Sequence, residues 1–410
     1  MLNWAGQFNI CCFLDNHAYR LPHQSHDCLL AAGALEYLEA HAGNAFTALR
    51  HFSNERKDWL FGHFSFDLKN ETEQLSSAHP DHIGFPDLFF FVPEVVIELK
   101  KNIINIGSRG NDHDRILEQI LQYPARVSSA QKIQPVRERF SRQEYINTVE
   151  QLRRHILYGD CYEINFCQEF YAENTTIDPL RIYDQLSNAS PMPFGAFYKL
   201  RDKYLLCASP ERYLKKEGRV LISQPIKGTE QRIPDDPALD DLYKEKLFHS
   251  GKDRAENIMV VDLVRNDLSK ICEEGSINVD ELYGIYSFPQ VHQMISSVSG
   301  RLPPQTHWVD AIKATFPMGS MTGAPKKRVL ELIEQYEKTK RGLFSGALGY
   351  ITPDEDFDFN VVIRSILYND TNHYLSYQAG SAITFYSDAM MEYEECVLKA
   401  SAIRRVLGEA

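Results

Sequence analysis

The segment Val220-Leu221-Ile222-Ser223-Gln224-Pro225-Ile226-Lys227-Gly228-Thr229 places a lysine between a β-branched residue and a Gly-Thr turn. Residues 220–222 and Ile226 are strand formers, so this pattern predicts a strand ending in a turn, with Lys227 at the end of a sheet facing a cavity. Most lysines near turns are solvated charges, and only a desolvated amine with a lowered pKa is a good nucleophile. The rest of the chain must therefore give a reason for Lys227 to be buried.

The composition predicts a large globular protein. The chain has 410 residues, of which 43% are hydrophobic and 24% charged. Its formal net charge of −12 argues against a nucleic-acid partner or an anionic membrane, because phosphate binding needs clustered cations. No apolar run is long enough to span a membrane, no secretory signal is visible, and the eight cysteines lack metal-type spacing. We therefore expect a cytoplasmic location.

Local patterns predict helices and strands that do not alternate regularly. Ser141 and Glu144 have the spacing of a capping box at a helix start. Further helices are predicted near residues 178–188, 236–250, 251–268, 308–315, 325–338 and 388–406, and strands near 161–166, 194–200, 204–208, 220–226, 343–351, 359–367 and 374–380. Strands in runs, with helices irregularly placed, favour an α+β fold with a largely antiparallel sheet. A doubly wound α/β fold is the alternative.

The predicted helix at residues 251–268 carries two carboxylates on one face. Asp253 and Glu256 are three residues apart, and the centre of the helix at residues 258–261 is apolar on every side. Such a centre predicts a buried helix, where a carboxylate needs a cation, a metal ion or hydrogen bonds. The alternative is a carboxylate that only interacts with the positive end of the helix dipole.

The last predicted helix offers a second acidic set. Glu392, Glu395 and Lys399 lie at positions i, i+3 and i+7, on one side of the helix. The common interpretation is a solvated face with a Glu-to-Lys pair. If this helix faced the helix of Asp253 and Glu256, the two would provide the oxygen ligands that Mg²⁺ prefers.

Three further residues are candidates for chemistry. Arg364 follows apolar residues in a predicted strand, where a guanidinium needs an anionic partner, either a ligand carboxylate or a structural salt bridge. Glu211 lies on a turn sixteen residues before Lys227, so returning strands could bring this acid and amine into one cavity. His292 is isolated, and a core histidine is its alternative interpretation.

Several common catalytic motifs are missing. The glycine-containing segment at residues 318–326 precedes a predicted helix but lacks the spacing of a Walker loop. The chain has no Gly-x-Ser-x-Gly elbow and no His-Glu-x-x-His sequence. These absences argue against a P-loop nucleotide site, an α/β-hydrolase and a zinc protease of that type.

Together these segments resemble the chorismate-utilising enzymes over about residues 140–407, and residues 64–70 carry a looser resemblance in the N-terminal part. The resemblance implies an α+β fold in which large, mostly antiparallel sheets form a sandwich core with helices on the outside. It also implies an N-terminal α+β subdomain at residues 1–120 and a chorismate-binding catalytic domain at residues 121–410.

The resemblance also implies a site that holds chorismate and Mg²⁺. The metal ion would bind the ring carboxylate and would be held by Glu256 and Glu395, with Glu392 and Asp253 nearby. The enolpyruvyl carboxylate would be bound by Tyr350, Arg364 and the backbone near Gly380. The ring would be lined by Lys399, His292 and Thr322, with Gly228 and Thr229 in the turn beside Lys227.

Lys227 distinguishes members of the family. The similar anthranilate synthases carry alanine there, and ammonia attacks ring carbon 2 directly. With lysine, the resemblance implies that the amine attacks carbon 2 while the carbon 4 hydroxyl leaves, protonated by Glu211. Ammonia then enters at carbon 4 and expels the lysine, giving 4-amino-4-deoxychorismate for p-aminobenzoate and folate synthesis. Because the attacking lysine must be neutral, we expect a lowered pKa.

Glu163 departs from the family pattern, because relatives that add water have lysine at this position and aminating relatives usually have glutamine. The Leu-Leu-Glu-Ser signature of tryptophan-inhibited anthranilate synthases is missing, and so is a glutaminase cysteine motif. We therefore expect a separate glutamine amidotransferase subunit that supplies ammonia. Two alternatives stay open: component I of an anthranilate synthase, and a catalytically inactive chorismate-binding regulatory subunit.

Overall fold

Runs of β-branched and aromatic residues form most of the strands. The computed structural model describes residues 1–19, 22–110, 112–124, 131–288 and 291–409. Within these ranges the strands are β1 (Ile10–Asp15), β2 (Cys28–Ala32), β3 (Glu36–Ala40), β4 (Leu60–Phe64), β5 (Leu88–Val92), β6 (Val95–Lys100), β7 (Ile103–Ser108), β8 (Arg137–Glu138), β9 (Glu163–Ala172), β10 (Phe194–Leu200), β11 (Lys203–Ser209), β12 (Arg212–Glu217), β13 (Val220–Gln224), β14 (Ile226–Gln231), β15 (Asn278–Ser287), β16 (Val291–Arg301), β17 (Gly323–Ala324), β18 (Ala347–Ile351), β19 (Phe357–Val361), β20 (Ser365–Asn369) and β21 (Tyr374–Ile383).

The helices begin and end close to where the sequence predicts them. The predicted capping box is confirmed: the Ser141 side chain accepts a hydrogen bond from the backbone N–H of Glu144, whose carboxylate accepts one from the N–H of Ser141. In the described ranges the helices are α1 (Leu2–Ala5), α2 (Ala45–Asn54), α3 (Lys69–Thr72), α4 (His113–Gln122), α5 (Arg142–Leu157), α6 (Pro179–Ala189), α7 (Pro237–Phe248), α8 (Gly251–Ser269), α9 (Trp308–Thr315), α10 (Lys326–Tyr336), α11 (Ala389–Lys399) and α12 (Ser401–Val406).

Two large sheets organise the described part of the chain. The first has eleven strands in the order β17-β9-β21-β20-β11-β10-β1-β2-β6-β7, with β8 paired to β9. The second has ten strands in the order β14-β16-β13-β12-β19-β18-β4-β5-β3, with β15 paired to β16. Paired strands within the described ranges run antiparallel. The predicted α+β class with antiparallel sheets is confirmed.

Alternating side chains on the first sheet divide the hydrophobic interior into two cores. On β1, Cys12 belongs to a core shared with the second sheet, whereas Cys11 and Phe13 belong to a core on the opposite face. The shared core also holds Val260 of α8, and the other core holds residues of α5, α6, α10, α11 and α12, among them Val149. The first sheet therefore lies between the second sheet and a layer of helices.

The predicted strand at residues 359–367 is divided between the two sheets. Its first half is β19 of the second sheet and its second half is β20 of the first sheet. Arg364 lies at the break with a φ of 52°, in the left-handed region that few side chains adopt. The prediction of one continuous strand is wrong because the hydrophobic pattern continues through this change of sheet.

Strands from both halves of the chain share both sheets. β1, β2, β6 and β7 lie in the first sheet, and β3, β4 and β5 lie in the second, all beside strands that follow residue 160. The predicted division at residue 120 therefore does not coincide with a separation between sheets. Among the described residues, none of the helices has the combination of length and hydrophobicity that a membrane span requires.

Candidate active site

Lys227 of β14 makes an ion pair with Glu163 of β9. Its Nζ donates a hydrogen bond to Oε1 of Glu163 at 3.1 Å, and the two side chains are 11% and 4% exposed. The predicted desolvation of Lys227 is confirmed by this burial. The pair joins the two sheets, because β14 belongs to the second and β9 to the first.

The protonation of Lys227 depends on the surrounding carboxylates. Burial acts to lower the pKa of its amine, but the charges of Glu163, Glu256 and Glu211 outweigh burial and raise the pKa above its ordinary value. The prediction of a lowered pKa is therefore wrong for the chain by itself. Lys227 is an ammonium ion at neutral pH until this negative charge is compensated.

Backbone contacts from β17 hold the start of β9, where Glu163 lies. Ala324 of β17 pairs with Glu163, and the neighbouring N–H of Tyr162 donates to the carbonyl oxygen of Ala324 at 2.8 Å. A Cβ atom on Gly323 would lie 2.1 Å from the Glu163 carbonyl oxygen, so only glycine permits this approach. The segment at residues 318–326, which lacks the spacing of a Walker loop, therefore supports the start of β9, where Glu163 lies.

Gly228 brings the start of α8 against β14. Its φ is 90°, and a Cβ atom there would lie 2.9 Å from Cβ of Asp253. Asp253 occupies the first turn of α8, which is capped by the side chain of Ser250. Gly228 thus contributes close packing, and Thr229 continues β14 by pairing with Gln293 of β16.

The two predicted acidic helices face each other. Nζ of Lys252 lies 3.8 Å from carboxylate oxygens of Glu256 on its own helix and of Glu392 and Glu395 on α11. Burial raises the pKa of Glu256 to about 7, although the charges of Lys227 and Lys252 act to lower it. Three carboxylates therefore converge on a space that already accommodates one cation.

The donor set is compatible with Mg²⁺. No group of three acidic, histidine or cysteine side chains within the described ranges is close enough to form a complete protein cage for a metal ion. Mg²⁺ does not need one, because it usually keeps several water ligands and takes one or two carboxylates from the protein. Glu256 and Glu395 provide carboxylates of this kind, and Lys252 marks where positive charge is stabilised.

Glu211 has the character of an acid. Its side chain is buried, and burial raises its pKa to about 7, although a hydrogen bond with Ser320 and the charges of Lys227 and Lys399 act to lower it. The influence of Lys227 on this pKa shows that acid and amine lie in one electrostatic environment. A carboxyl group with this pKa can be protonated at neutral pH and can donate a proton.

Arg364 forms no ion pair with an acidic side chain within the described ranges. Burial lowers its pKa. A partly buried arginine without an acidic partner is suited to bind a carboxylate. Lys399 donates a hydrogen bond to the carbonyl oxygen of Gly380 at 3.0 Å and pairs with Glu395 at 2.8 Å, which connects the predicted ring-binding lysine to the acidic set.

Thr322 lies in the segment that supports Glu163. It is fully buried, and its carbonyl oxygen accepts a hydrogen bond from the N–H of Asn165 at 2.8 Å. Its hydroxyl donates to the carbonyl oxygens of Met318 and Gly319, at 3.2 and 3.3 Å. Thr322 is therefore near the predicted site, but its hydroxyl group already donates its hydrogen bond to the backbone of its own turn.

Tyr350 is not part of this cluster. Its hydroxyl lies 3.0 Å from Nε2 of His26, and its ring lines a separate cavity of about 70 Å³ beside Arg212 and Asp358. The prediction that Tyr350 and Arg364 bind one carboxylate together is therefore corrected. Leu348 and Tyr350 line this cavity from alternate positions of β18, which explains why the hydroxyl projects away from the site.

His292 is also held elsewhere. Its Nε2 lies 3.1 Å from Oδ1 of Asp240, and its Nδ1 lies 2.9 Å from the hydroxyl of Ser287. Both ring nitrogens therefore have hydrogen-bond partners, as the alternative interpretation of a core histidine expects. Its neighbour Gln293 projects to the other face of β16, where the buried Oε1 has no hydrogen-bond partner in the described ranges.

Sequence reasoning missed Lys252, Ser320 and the pairing of Glu163 with Lys227. Lys252 carries only the weak signal of an i,i+4 spacing to Glu256. The central residues of α8 were predicted to be buried on every side, yet Ile258 and Met259 are 42% and 37% exposed. One apolar face of α8 is therefore on the surface, and its acidic end owes its burial to β14 and α11.

Comparison with known proteins agrees with this architecture. Residues 12–405 match the model of a family described as chorismate binding enzyme. The chain is 33% identical to aminodeoxychorismate synthase component 1 of Klebsiella aerogenes over 83% of this chain and 75% of that protein. It is 30% identical to anthranilate synthase component 1 of Thermus thermophilus, over 86% and 78% of the two chains. The crystal structure of anthranilate synthase component I from Streptococcus pneumoniae superposes with a TM-score of 0.80 at 26% identity, over 95% and 94% of the chains.

Proposed function

This chain belongs to the chorismate binding enzyme family and is a chorismate-utilising enzyme, and we propose that it aminates chorismate with ammonia to give 4-amino-4-deoxychorismate. The observation that carries the proposal is the buried Lys227 amine, which lies 3.1 Å from Glu163 and shares an electrostatic environment with Glu211 and Glu256. Such an amine is placed to become a nucleophile once the surrounding negative charge is compensated.

Two displacements account for the product. The Lys227 amine, after losing its extra proton to solvent, forms a bond to ring carbon 2 while the ring double bonds shift and the carbon 4 hydroxyl leaves. The attached nitrogen then releases a second proton to solvent and becomes a neutral secondary amine. Glu211, whose pKa is raised to about 7 by burial, donates the proton with which that oxygen departs as water. Ammonia then forms a bond at carbon 4, and the bond between carbon 2 and the lysine nitrogen breaks. Covalent catalysis of this kind replaces one difficult step with two easier ones.

Two sets of charged groups suit the two carboxylates of chorismate. Arg364, a partly buried guanidinium without an acidic partner in the described ranges, would bind the enolpyruvyl carboxylate with the backbone near Gly380. Glu256 and Glu395 would hold Mg²⁺, which when bound supplies positive charge for the ring carboxylate. Lys399 links these two regions through its contacts with Gly380 and Glu395.

Ammonia needs a source. The relatives named component 1 support a two-component assembly, and a glutamine amidotransferase subunit is the second component that we propose. All eight cysteines are free and seven are buried, which is typical of a protein kept in a reducing compartment and supports a cytoplasmic location. Without the second component, the chain would use free ammonia.

Anthranilate synthesis is the second candidate. It is favoured by the similarity to the Thermus thermophilus and Streptococcus pneumoniae anthranilate synthase chains. The two candidates differ in the ring position that receives nitrogen, so chromatography of the product made from chorismate and ammonium distinguishes them. An ortho product would contradict our proposal.

Intact-protein mass spectrometry with Mg²⁺, chorismate and no ammonia tests the covalent step. We expect a mass increase localised to Lys227 that is lost in Lys227→Ala. Lys338→Ala is the matched control, because Lys338 pairs with Glu144 on the surface at 2.9 Å. Full synthesis of the para product by Lys227→Ala would show that Lys227 is not the nucleophile.

A further inference from the structure

Glu163 is a buried carboxylate in which only one of the two oxygens has a hydrogen-bond partner among the described residues. Oε1 accepts the hydrogen bond from Lys227, whereas Oε2 is buried and has no hydrogen-bond partner in the described ranges. A buried carboxylate oxygen without a donor is energetically costly, because its lost hydration is not replaced. Beside an amine nucleophile, such an oxygen is placed to take up a proton.

The position of this carboxylate is set by the backbone. β17 and β21 pair with β9 on its two sides, through Gly323 and Ile383, which both lie opposite Ile164. The backbone of Gly323 approaches Glu163 so closely that a Cβ atom on Gly323 would lie 2.1 Å from the Glu163 carbonyl oxygen. These contacts set the backbone position from which the Glu163 side chain reaches Lys227, and a catalytic group needs such preorganisation.

The second displacement creates a need for proton transfer. When ammonia bonds to carbon 4, its nitrogen carries one proton too many, and the Lys227 nitrogen, a neutral secondary amine in the adduct, needs one proton to leave as a neutral primary amine. The two nitrogens are attached to ring carbons separated by a single carbon, so they lie close together. One carboxylate can reach both only if one oxygen faces each nitrogen.

We propose that Glu163 is the catalytic residue that relays this proton, from the incoming ammonia nitrogen through Oε2 and Oε1 to the departing nitrogen of Lys227. The step balances: the ammonia lone pair forms the bond at carbon 4, the bond from carbon 2 to Lys227 breaks, and the proton lost by the new amine is gained by Lys227. Glu163 ends the step as the carboxylate that it was at the start. This inference rests on the proposed function, since it assigns a role within the second displacement.

The distribution of polar contacts favours Glu163 over its neighbours for this role. Glu211 is the acid of the first displacement, and its carboxyl group shares a hydrogen bond with Ser320 that acts to lower its pKa. Glu256, Glu392 and Glu395 share the cation Lys252. Glu163 combines a direct hydrogen bond to the Lys227 amine with an unpartnered buried oxygen.

The variant Glu163→Gln tests the relay, because glutamine keeps the shape of the side chain and an acceptor for Lys227 but cannot take up a proton. Enzyme with Mg²⁺ and chorismate is first allowed to form the Lys227 adduct, and ammonium chloride is then mixed in while intact mass is followed by rapid quenching. We expect the variant to form the adduct and to release it about 100-fold more slowly than the unmodified enzyme, within the usual range for general acid–base catalysis. Added imidazole should accelerate release in the variant and leave the unmodified enzyme unaffected.

The outcomes separate the relay from the function on which it rests. Release of the adduct at an unchanged rate in Glu163→Gln would contradict the relay alone. A folded variant that forms no adduct would also overturn it, because Glu163 would then act in the first displacement. Failure of the unmodified enzyme to form an adduct would contradict the proposed function and the relay together. Glu163→Asp, which retains a carboxylate with a shorter reach, should slow release less than glutamine does, and equal slowing would contradict proton transfer.

Discussion

The ion pair between Lys227 and Glu163 joins the start of β14 in one sheet to the start of β9 in the other. Its hydrogen bond is 3.1 Å long, and the two side chains are only 11% and 4% exposed. A buried pair of this kind leaves a costly unpaired charge when one partner is removed. The charge on the Lys227 amine therefore depends on how closely the two sheets bring Lys227 and Glu163 together.

Replacement of Glu211 by glutamine should remove the acid of the first displacement. Burial raises the pKa of Glu211 to about 7, so the acid form predominates below pH 7 and is lost as pH rises through that value. In the unmodified enzyme, kcat/KM for chorismate should fall above about pH 7 for this reason. In Glu211→Gln we expect a loss of about 100-fold or more in kcat and no dependence on this ionisation. If kcat/KM of the variant still fell above about pH 7, the ionisation would belong to another group.

Glu256→Gln should weaken Mg²⁺ binding, because it removes a negatively charged oxygen ligand while keeping the side-chain shape. We expect at least about a tenfold loss of affinity, equivalent to about 1.4 kcal/mol, in isothermal titration calorimetry with Mg²⁺ alone. Asp262→Asn is the control on the same helix, since Asp262 pairs with Arg265 and is exposed. Equal affinities in Glu256→Gln and the unmodified protein would remove Glu256 from the metal site.

Gly228→Ala should destabilise the protein and disturb the site. A side chain at φ 90° costs about 1–2 kcal/mol, and the new Cβ would also lie 2.9 Å from Cβ of Asp253. Gly218→Ala is the matched control, because Gly218 has a φ of 58° but no atom within 4 Å of the added Cβ. Urea denaturation should show a larger loss of unfolding free energy for Gly228→Ala, and equal losses in both variants would show that contact with α8 is unimportant.

Arg364→Lys should lower kcat/KM for chorismate by about 10- to 100-fold, since an ammonium group cannot form the two parallel hydrogen bonds that a guanidinium gives a carboxylate. Tyr350→Phe should leave this value nearly unchanged, because the lost hydroxyl contacts His26 in a separate cavity. Steady-state kinetics compares the two variants directly. If Tyr350→Phe lowered kcat/KM as much as Arg364→Lys does, Tyr350 would have to contact the substrate.

Local signals predicted most elements of the fold. The helix at residues 308–315 has the predicted bounds, and the helix predicted at 251–268 extends by one residue. Apolar spacing and capping depend on neighbours within one or two turns, so one sequence is sufficient to reveal them. The predicted helix at 388–406 is divided near Ala400, and the strand at 359–367 is divided at Arg364, because apolar spacing continues through both breaks.

The sequence by itself determined the fold class, the family and the candidate residues of the site, because these depend on local patterns and motifs. Only the tertiary structure decided which candidates meet: Lys227 contacts Glu163, whereas Tyr350 contacts His26. It also decided the protonation of Lys227, since the pKa of a buried amine depends on every charge around it, and those carboxylates come from strands and helices far apart in the chain.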